Sequence, residues 1–181
     1  MNIQITKTST FFVLFFLFLT NIFSVVVAQN TKIVLNEFTE ELLIGKQIEI
    51  LEDKTNKLTF DQVISAAYSK QFVLSKKDKP NLGISTSTFW VRFEIENTKP
   101  HINDWHLEVT YPLFDYLTLH SSPDKADWQI TETGDKIAFN KRTPKHRFFV
   151  FPLDFSVSAK QYYYLKIERI FKHVPKSRAK K

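Results

Sequence analysis

Residues 88–97 read TFWVRFEIEN, ten positions of unbroken alternation. In an extended chain successive side chains point to opposite faces. Phe89, Val91, Phe93 and Ile95 therefore share one face, and Trp90, Arg92, Glu94 and Glu96 share the other. A helix would scatter both sets around its circumference. The segment reads as a strand with one apolar face against a core and a mixed face turned away from it.

The same period recurs downstream. In residues 105–110 (WHLEVT), Trp105, Leu107 and Val109 are in phase, and Pro112 ends the run. Residues 114–120 begin another strand with Leu117 and Leu119 inward, residues 128–130 make a short one, and residues 133–135 (TGD) turn the chain. Residues 147–155 form an apolar strand whose Pro152 predicts an edge or a bulge. Residues 161–170 alternate Tyr163, Leu165 and Ile167 against Tyr162, Tyr164, Lys166 and Glu168. Upstream, Ile48 and Ile50 alternate with Gln47 and Glu49, and residues 53–56 (DKTN) carry turn chemistry. Residues 59–69 predict a short helix capped by Thr59 or Asp61, with Val63, Ile64, Ala67 and Tyr68 at helical spacing. Many short strands with one short helix predict an all-β fold, an antiparallel β-sandwich or jelly roll.

The ends differ from this middle. Lys7, an apolar run at residues 11–19 (FFVLFFLFL), and small residues up to Ala28 follow the order of a secretory signal peptide, cut between Ala28 and Gln29. An uncleaved anchor is the alternative, since residues 11–28 just reach the length of a span. The expected organisation is a signal peptide at 1–28, a lead-in at 29–40, a sandwich domain at 41–170 and a basic, disordered tail at 171–181. The net charge of +6 belongs to the ends: without Lys7 and the six cations from Arg169 onward, residues 29–168 carry −1. No basic face argues for nucleic acid. The chain has no cysteine, which excludes disulfides and thiolate chemistry and leans toward a bacterial periplasm.

From residue 42 to residue 170 the motifs come in a familiar order: IGKQIEILEDKTNKLTFDQV, then NLG and STFWVRFEIEN, then DWHLEVTYPLFDYLTLH, TGDKIAFNKR, RFFVFPLDF and YYYLKIER. This order resembles the extracellular sensor domain, type 2, of bacterial seven-transmembrane receptors with diverse intracellular signalling modules. The resemblance implies a jelly-roll domain similar to carbohydrate-binding modules, displayed at the periplasmic or extracellular face of the membrane. It implies a small-molecule or glycan ligand and a signal passed to a membrane receptor bundle. The chain holds neither a seven-helix region nor a cytoplasmic module, so it is expected to be a truncated receptor. The carry-over is then limited to the sensor fold.

Trp90, Arg92 and Glu94 are the leading candidates for ligand binding. An aromatic plane suits the C–H face of a sugar, and paired charged groups hydrogen-bond its hydroxyls. The structural alternative is an outward Trp covered by a loop or by the 59–69 helix, with Arg92 paired to a neighbouring glutamate. Arg142 and Arg147, flanking Pro144 with His146, could fork onto a carboxylate, or be an ordinary solvated turn. Trp105 and Trp128 read as packing. Catalysis has little support. The five histidines lack metal spacing, no cofactor motif is present, and Glu94 with Glu96 is a remote glycosidase pair at roughly 6–7 Å along the strand. The expected function is a non-enzymatic, exported, ligand-sensing module. A protein-interaction or self-associating β-module is the alternative, and a glycoside-active enzyme is more remote.

Overall fold

The alternating segment is the centre of the fold. A computed structural model describes residues 32–99, 102, 104–142 and 146–169. The expected signal peptide, the tail at 171–181 and Pro144 lie outside the described residues. The strands are β1 (Lys32–Leu35), β2 (Glu49–Asp53), β3 (Val73–Leu74), β4 (Thr88–Asn97), β5 (His106–Val109), β6 (Tyr116–Ser122), β7 (Gln129–Thr133), β8 (Phe149–Pro152) and β9 (Lys160–Glu168). Two short helices, α1 (Phe60–Ile64) and α2 (Ala66–Ser69), lie between β2 and β3.

One sheet runs β3-β2-β4-β9-β6-β7, so the late strand β9 lies between β4 and β6. Every pairing along that path is antiparallel. β1 pairs with β4 in parallel. It lies against Glu94–Asn97 while β2 lies against Thr88–Arg92, so the two share one edge of β4 end to end. The lead-in thus contributes a strand, and its pairing with β4 is parallel within the mostly antiparallel sheet that the alternation predicts. β5 and β8 form a separate two-stranded sheet. The result is an all-β sandwich with unequal layers. Among the described residues it departs from the paired four-stranded sheets of a regular jelly roll.

Burial follows from the alternation. Val91, Phe93 and Ile95 of β4, Tyr163, Leu165 and Ile167 of β9, and Leu117 and Leu119 of β6 pack in one core with Phe149, Phe151, Leu153 and Phe155. Trp105, Leu107 and Val109 close it from the β5 side. Each buried side chain of this size removes apolar surface from water worth about 1.5–3 kcal/mol. Pro152 ends β8 rather than interrupting it, and the next amide, Leu153 N–H, donates to Trp105 O at 2.9 Å.

The opposite face of the sheet is not simply solvated. The Asp53 carboxylate accepts the amides of Thr55 (2.9 Å), Asn56 (3.0 Å) and Leu58 (2.9 Å) and the Thr55 hydroxyl (2.6 Å). Asn56 sits at φ 56 and its Oδ1 accepts the Thr88 amide. This turn delivers the chain to Thr59, which caps α1 in a capping box with Gln62. The expected single helix breaks at Ser65, whose backbone is extended (φ −67, ψ 157). The break removes the expected four-residue apolar stripe: Val63 is fully buried, while Ile64 and Ala67 are exposed.

Candidate functional site

A row of side chains crosses the sheet on the face away from the sandwich core. Cross-strand pairing sets Glu49 beside Arg92, Arg92 beside Tyr164, Tyr164 beside His120, and His120 beside Ile130. The next row holds Leu51, Trp90, Lys166 and Thr118. α1 lies over the two rows and makes a second apolar cluster of Leu51, Val63, Phe72 and Trp90, with Leu58, Phe60, Tyr68 and Tyr164 at its margin.

Phe60 is the hub of the aromatic contacts. Its ring stacks on His120 at 3.9 Å between centroids and 4° between planes. Trp128 meets it edgewise at 5.0 Å and Tyr164 at 5.8 Å, and Trp90 lies tilted at 6.2 Å. Trp128 and Tyr164 also touch each other. Each such pair adds about 0.5–1.5 kcal/mol beyond burial. The packing leaves polar atoms without partners. Trp90 is 1 % exposed and His120 6 %, and among the described residues neither Trp90 Nε1 nor His120 Nδ1 has a hydrogen-bond partner. A buried polar atom in that position costs about 1–3 kcal/mol. Burial, and then the charge of Lys166, push the His120 imidazole down to a pKa of about 4, so the ring is neutral at pH 7.

Beside the rings sits an ion pair with fixed geometry. Arg92 donates through Nε (2.8 Å) and one terminal nitrogen (3.0 Å) to Glu49, and through the other to Ser69 Oγ at 2.8 Å. Its guanidinium lies 4.2 Å over the Phe72 ring. Burial opposes its charge. The bonds to Glu49, with Tyr164 contributing, outweigh that and hold its pKa above the ordinary value.

The residues singled out in the sequence fall in three places. Trp90 and Arg92 lie together at this cluster, with Trp90 beneath α1. Glu94 is one step along the same face, where it accepts from Lys160 at 2.8 Å. The Lys160 ammonium lies over Tyr162, and hydrogen bonding to Glu94 raises its pKa. Arg142 and Arg147 belong to the connection between β7 and β8. Arg142 donates to Ile137 O (2.9 Å) and Asp135 O (3.3 Å), and Arg147 lies over Phe148 at 4.4 Å. Their contacts share no residue with those of Trp90 and Arg92. Glu96 pairs with Lys32.

Phe60, His120 and Phe72 escaped the sequence reading. The signal available was weak: an aromatic residue directly after an N-cap, and a histidine on the outward phase of a strand. Among the described residues no cluster of histidine and carboxylate side chains is arranged to hold a metal ion, and no helix is long and apolar enough to cross a membrane.

A family model described as 7TMR-DISM extracellular 2 matches residues 45–173. No curated protein matches the chain. The match takes in strands β2 to β9 with both helices, the sheet face just described included, and it spans more than half of the 181 residues. The chain belongs to the 7TMR-DISM extracellular 2 family, a family of receptor sensor domains that stand outside the cytoplasm and not a family of enzymes.

Proposed function

We propose that this domain senses a carbohydrate outside the cytoplasm, after removal of residues 1–28, and that Trp90, Arg92 and Glu94 belong to its binding face. The observation that carries the reading is the conjunction on one sheet face of the half-buried Tyr164 and Trp128 with the forked Arg92–Glu49 pair, Trp90 lying beside them beneath α1. Ring planes suit the C–H faces of a pyranose, and a guanidinium–carboxylate pair offers donors and acceptors side by side for vicinal hydroxyls. Arg142 and Arg147 then form a separate basic patch, suited to an acidic substituent. Calorimetric titration of residues 29–181 with neutral and acidic sugars tests this. Silence across the set, with the fold intact by circular dichroism, refutes it.

A second reading is a protein-interaction or self-association role. β7 ends the sheet path, is exposed over its first four residues, and carries Ile130 at 60 % exposure. At the other end an open groove of about 570 Å³ runs along β2 and β3 past Ile50, Leu51, Val73 and Leu74. Such edges accept an added strand. Light scattering and crosslinking test it, and a strict monomer that captures no partner counts against it. The glycosidase reading is weakened by the ion pairs that hold Glu94 to Lys160 and Glu96 to Lys32.

A further inference from the structure

The Phe60 ring occupies a cage built from residues far apart in the chain: His120 stacked on one face, Trp128 and Tyr164 set edgewise, and Trp90 tilted behind. A phenyl ring matches that space in shape and size but offers nothing to hydrogen-bond. Trp90 Nε1 and His120 Nδ1, on two of the rings around it, belong to side chains more than nine-tenths buried and have no hydrogen-bond partner among the described residues. Buried polar atoms of this kind are normally satisfied, and where they are not an absent partner is the first explanation to consider. A hydroxylated ring of the same size would keep the aromatic contacts and carry hydroxyls toward these nitrogens, meeting His120 Nδ1 in its own plane only by tilting out of the parallel stack that Phe60 makes.

The element carrying Phe60 is short, and its hydrogen bonds are local. α1 is five residues long, and an isolated helix of that length has almost no stability of its own. It is bounded by the Asp53 turn on one side and by the extended backbone at Ser65 on the other. Val63 is its one fully buried residue. Beneath it, β2, β4, β9 and β6 are already paired with each other, so lifting α1 breaks no hydrogen bond of the sheet.

We propose that α1 is a lid, that Phe60 is a built-in placeholder for the ligand ring, and that a sugar ring binds between His120, Trp128, Tyr164 and Trp90 by displacing it. The carbohydrate class rests on the function proposed above; the lid does not.

The chain has no cysteine, which makes thiol labelling unambiguous. Val63→Cys places a thiol under the lid, and Val91→Cys makes the same change in the sandwich core. Both variants are labelled with an aromatic disulfide reagent in native buffer. The thiol of Val63→Cys is expected to react at least about 100-fold faster than that of Val91→Cys, because local opening precedes global unfolding. Native-state hydrogen exchange at the Val63 amide, which bonds to Thr59 O at 3.1 Å, gives the same comparison without a substitution. In parallel, glucose, galactose, mannose, N-acetylglucosamine and glucuronate are titrated into the wild type and into Phe60→Ala. At least one is expected to bind the variant about 10-fold more tightly, since the placeholder no longer competes.

Equal labelling of the two variants, with Val63 exchange as slow as the β4 amides, overturns the lid. A sugar bound equally by wild type and Phe60→Ala overturns the cage and leaves the sensor reading intact. Fast labelling of Val63→Cys with no sugar bound by either protein overturns the carbohydrate class and, with it, the placement of a sugar in this cage.

Discussion

Replacing His120 with phenylalanine isolates the acid sensitivity that the aromatic cluster builds into the domain. The substitution keeps a flat ring against Phe60 and removes the proton-binding site. In the folded chain the imidazole stays neutral down to about pH 4, held there by burial and then by Lys166, whereas its ordinary value is 6.5. Between those values the unfolded chain binds the additional proton, so stability is full above pH 6.5 and falls as pH drops toward 4. At pH 5 the unfolded ring is almost wholly charged and the folded ring only slightly. The two states then differ by a factor of about 30, or about 2 kcal/mol. Urea titrations of wild type and His120→Phe at pH 7.5 and pH 5 measure it. The wild type is expected to lose about 2 kcal/mol more than the variant, close to 1 M in urea midpoint for a domain of this size. Asp53 does not contaminate the window. Its carboxyl, which burial opposes but four donors stabilise, titrates below the ordinary 3.8, so its contribution is lost only at more acid pH. Curves that stay parallel within about 0.5 kcal/mol would refute the reasoning, because they would mean that the folded chain charges His120 freely and that Phe60 does not seal it from water.

Asp53→Ala leaves the Thr55 and Leu58 amides and the Thr55 hydroxyl without their acceptor, while the Asn56 amide keeps the Asp53 main-chain oxygen at 3.3 Å, and is expected to cost on the order of 3 kcal/mol by urea denaturation, with faster hydrogen exchange in α1 than elsewhere. Gly134 has φ +144, and a Cβ added there would lie 2.8 Å from Tyr116 Cα and run into the Asp115 carbonyl oxygen. Gly134→Ala is therefore expected to destabilise by on the order of 3 kcal/mol, read as a lowered melting temperature. Arg92→Lys keeps the charge but loses the fork onto Glu49 and the stack on Phe72. A loss of about 1–2 kcal/mol is expected, with sugar affinity reduced where sugar binds.

The sandwich core was legible because one rule governs it. On the strands facing β5 and β8 the inward positions are apolar except near the strand ends, as at Asn97 and Gln161, and Val91, Phe93, Ile95, Tyr163, Leu165 and Ile167 follow from spacing alone. The opposite face was legible only in part. Trp90 falls on the polar phase of its strand, and the structural alternative read there, an outward Trp covered by the 59–69 helix with Arg92 paired to a glutamate, is the arrangement found. The helix itself was visible from its cap, but its break at Ser65 was not, so four apolar positions were expected to be buried where one is. Phe60 and His120 meet only through the fold: no local pattern links a residue after an N-cap to one 60 positions later. β1 was hidden for a similar reason. Four residues carry little periodicity, and its place depends on β2 covering only half of β4.

The position of β9 has a consequence for how the polypeptide becomes a domain. Its neighbours, β4 and β6, do not pair with each other; both wait for a segment that is made after them and slots in as a keystone. Until residues 160–168 are available the larger layer exists only as two unjoined halves. Assembly of this kind depends on distant partners and is intrinsically slow. During that interval the exposed borders of β4 and β6 are the surfaces a chaperone would have to shield.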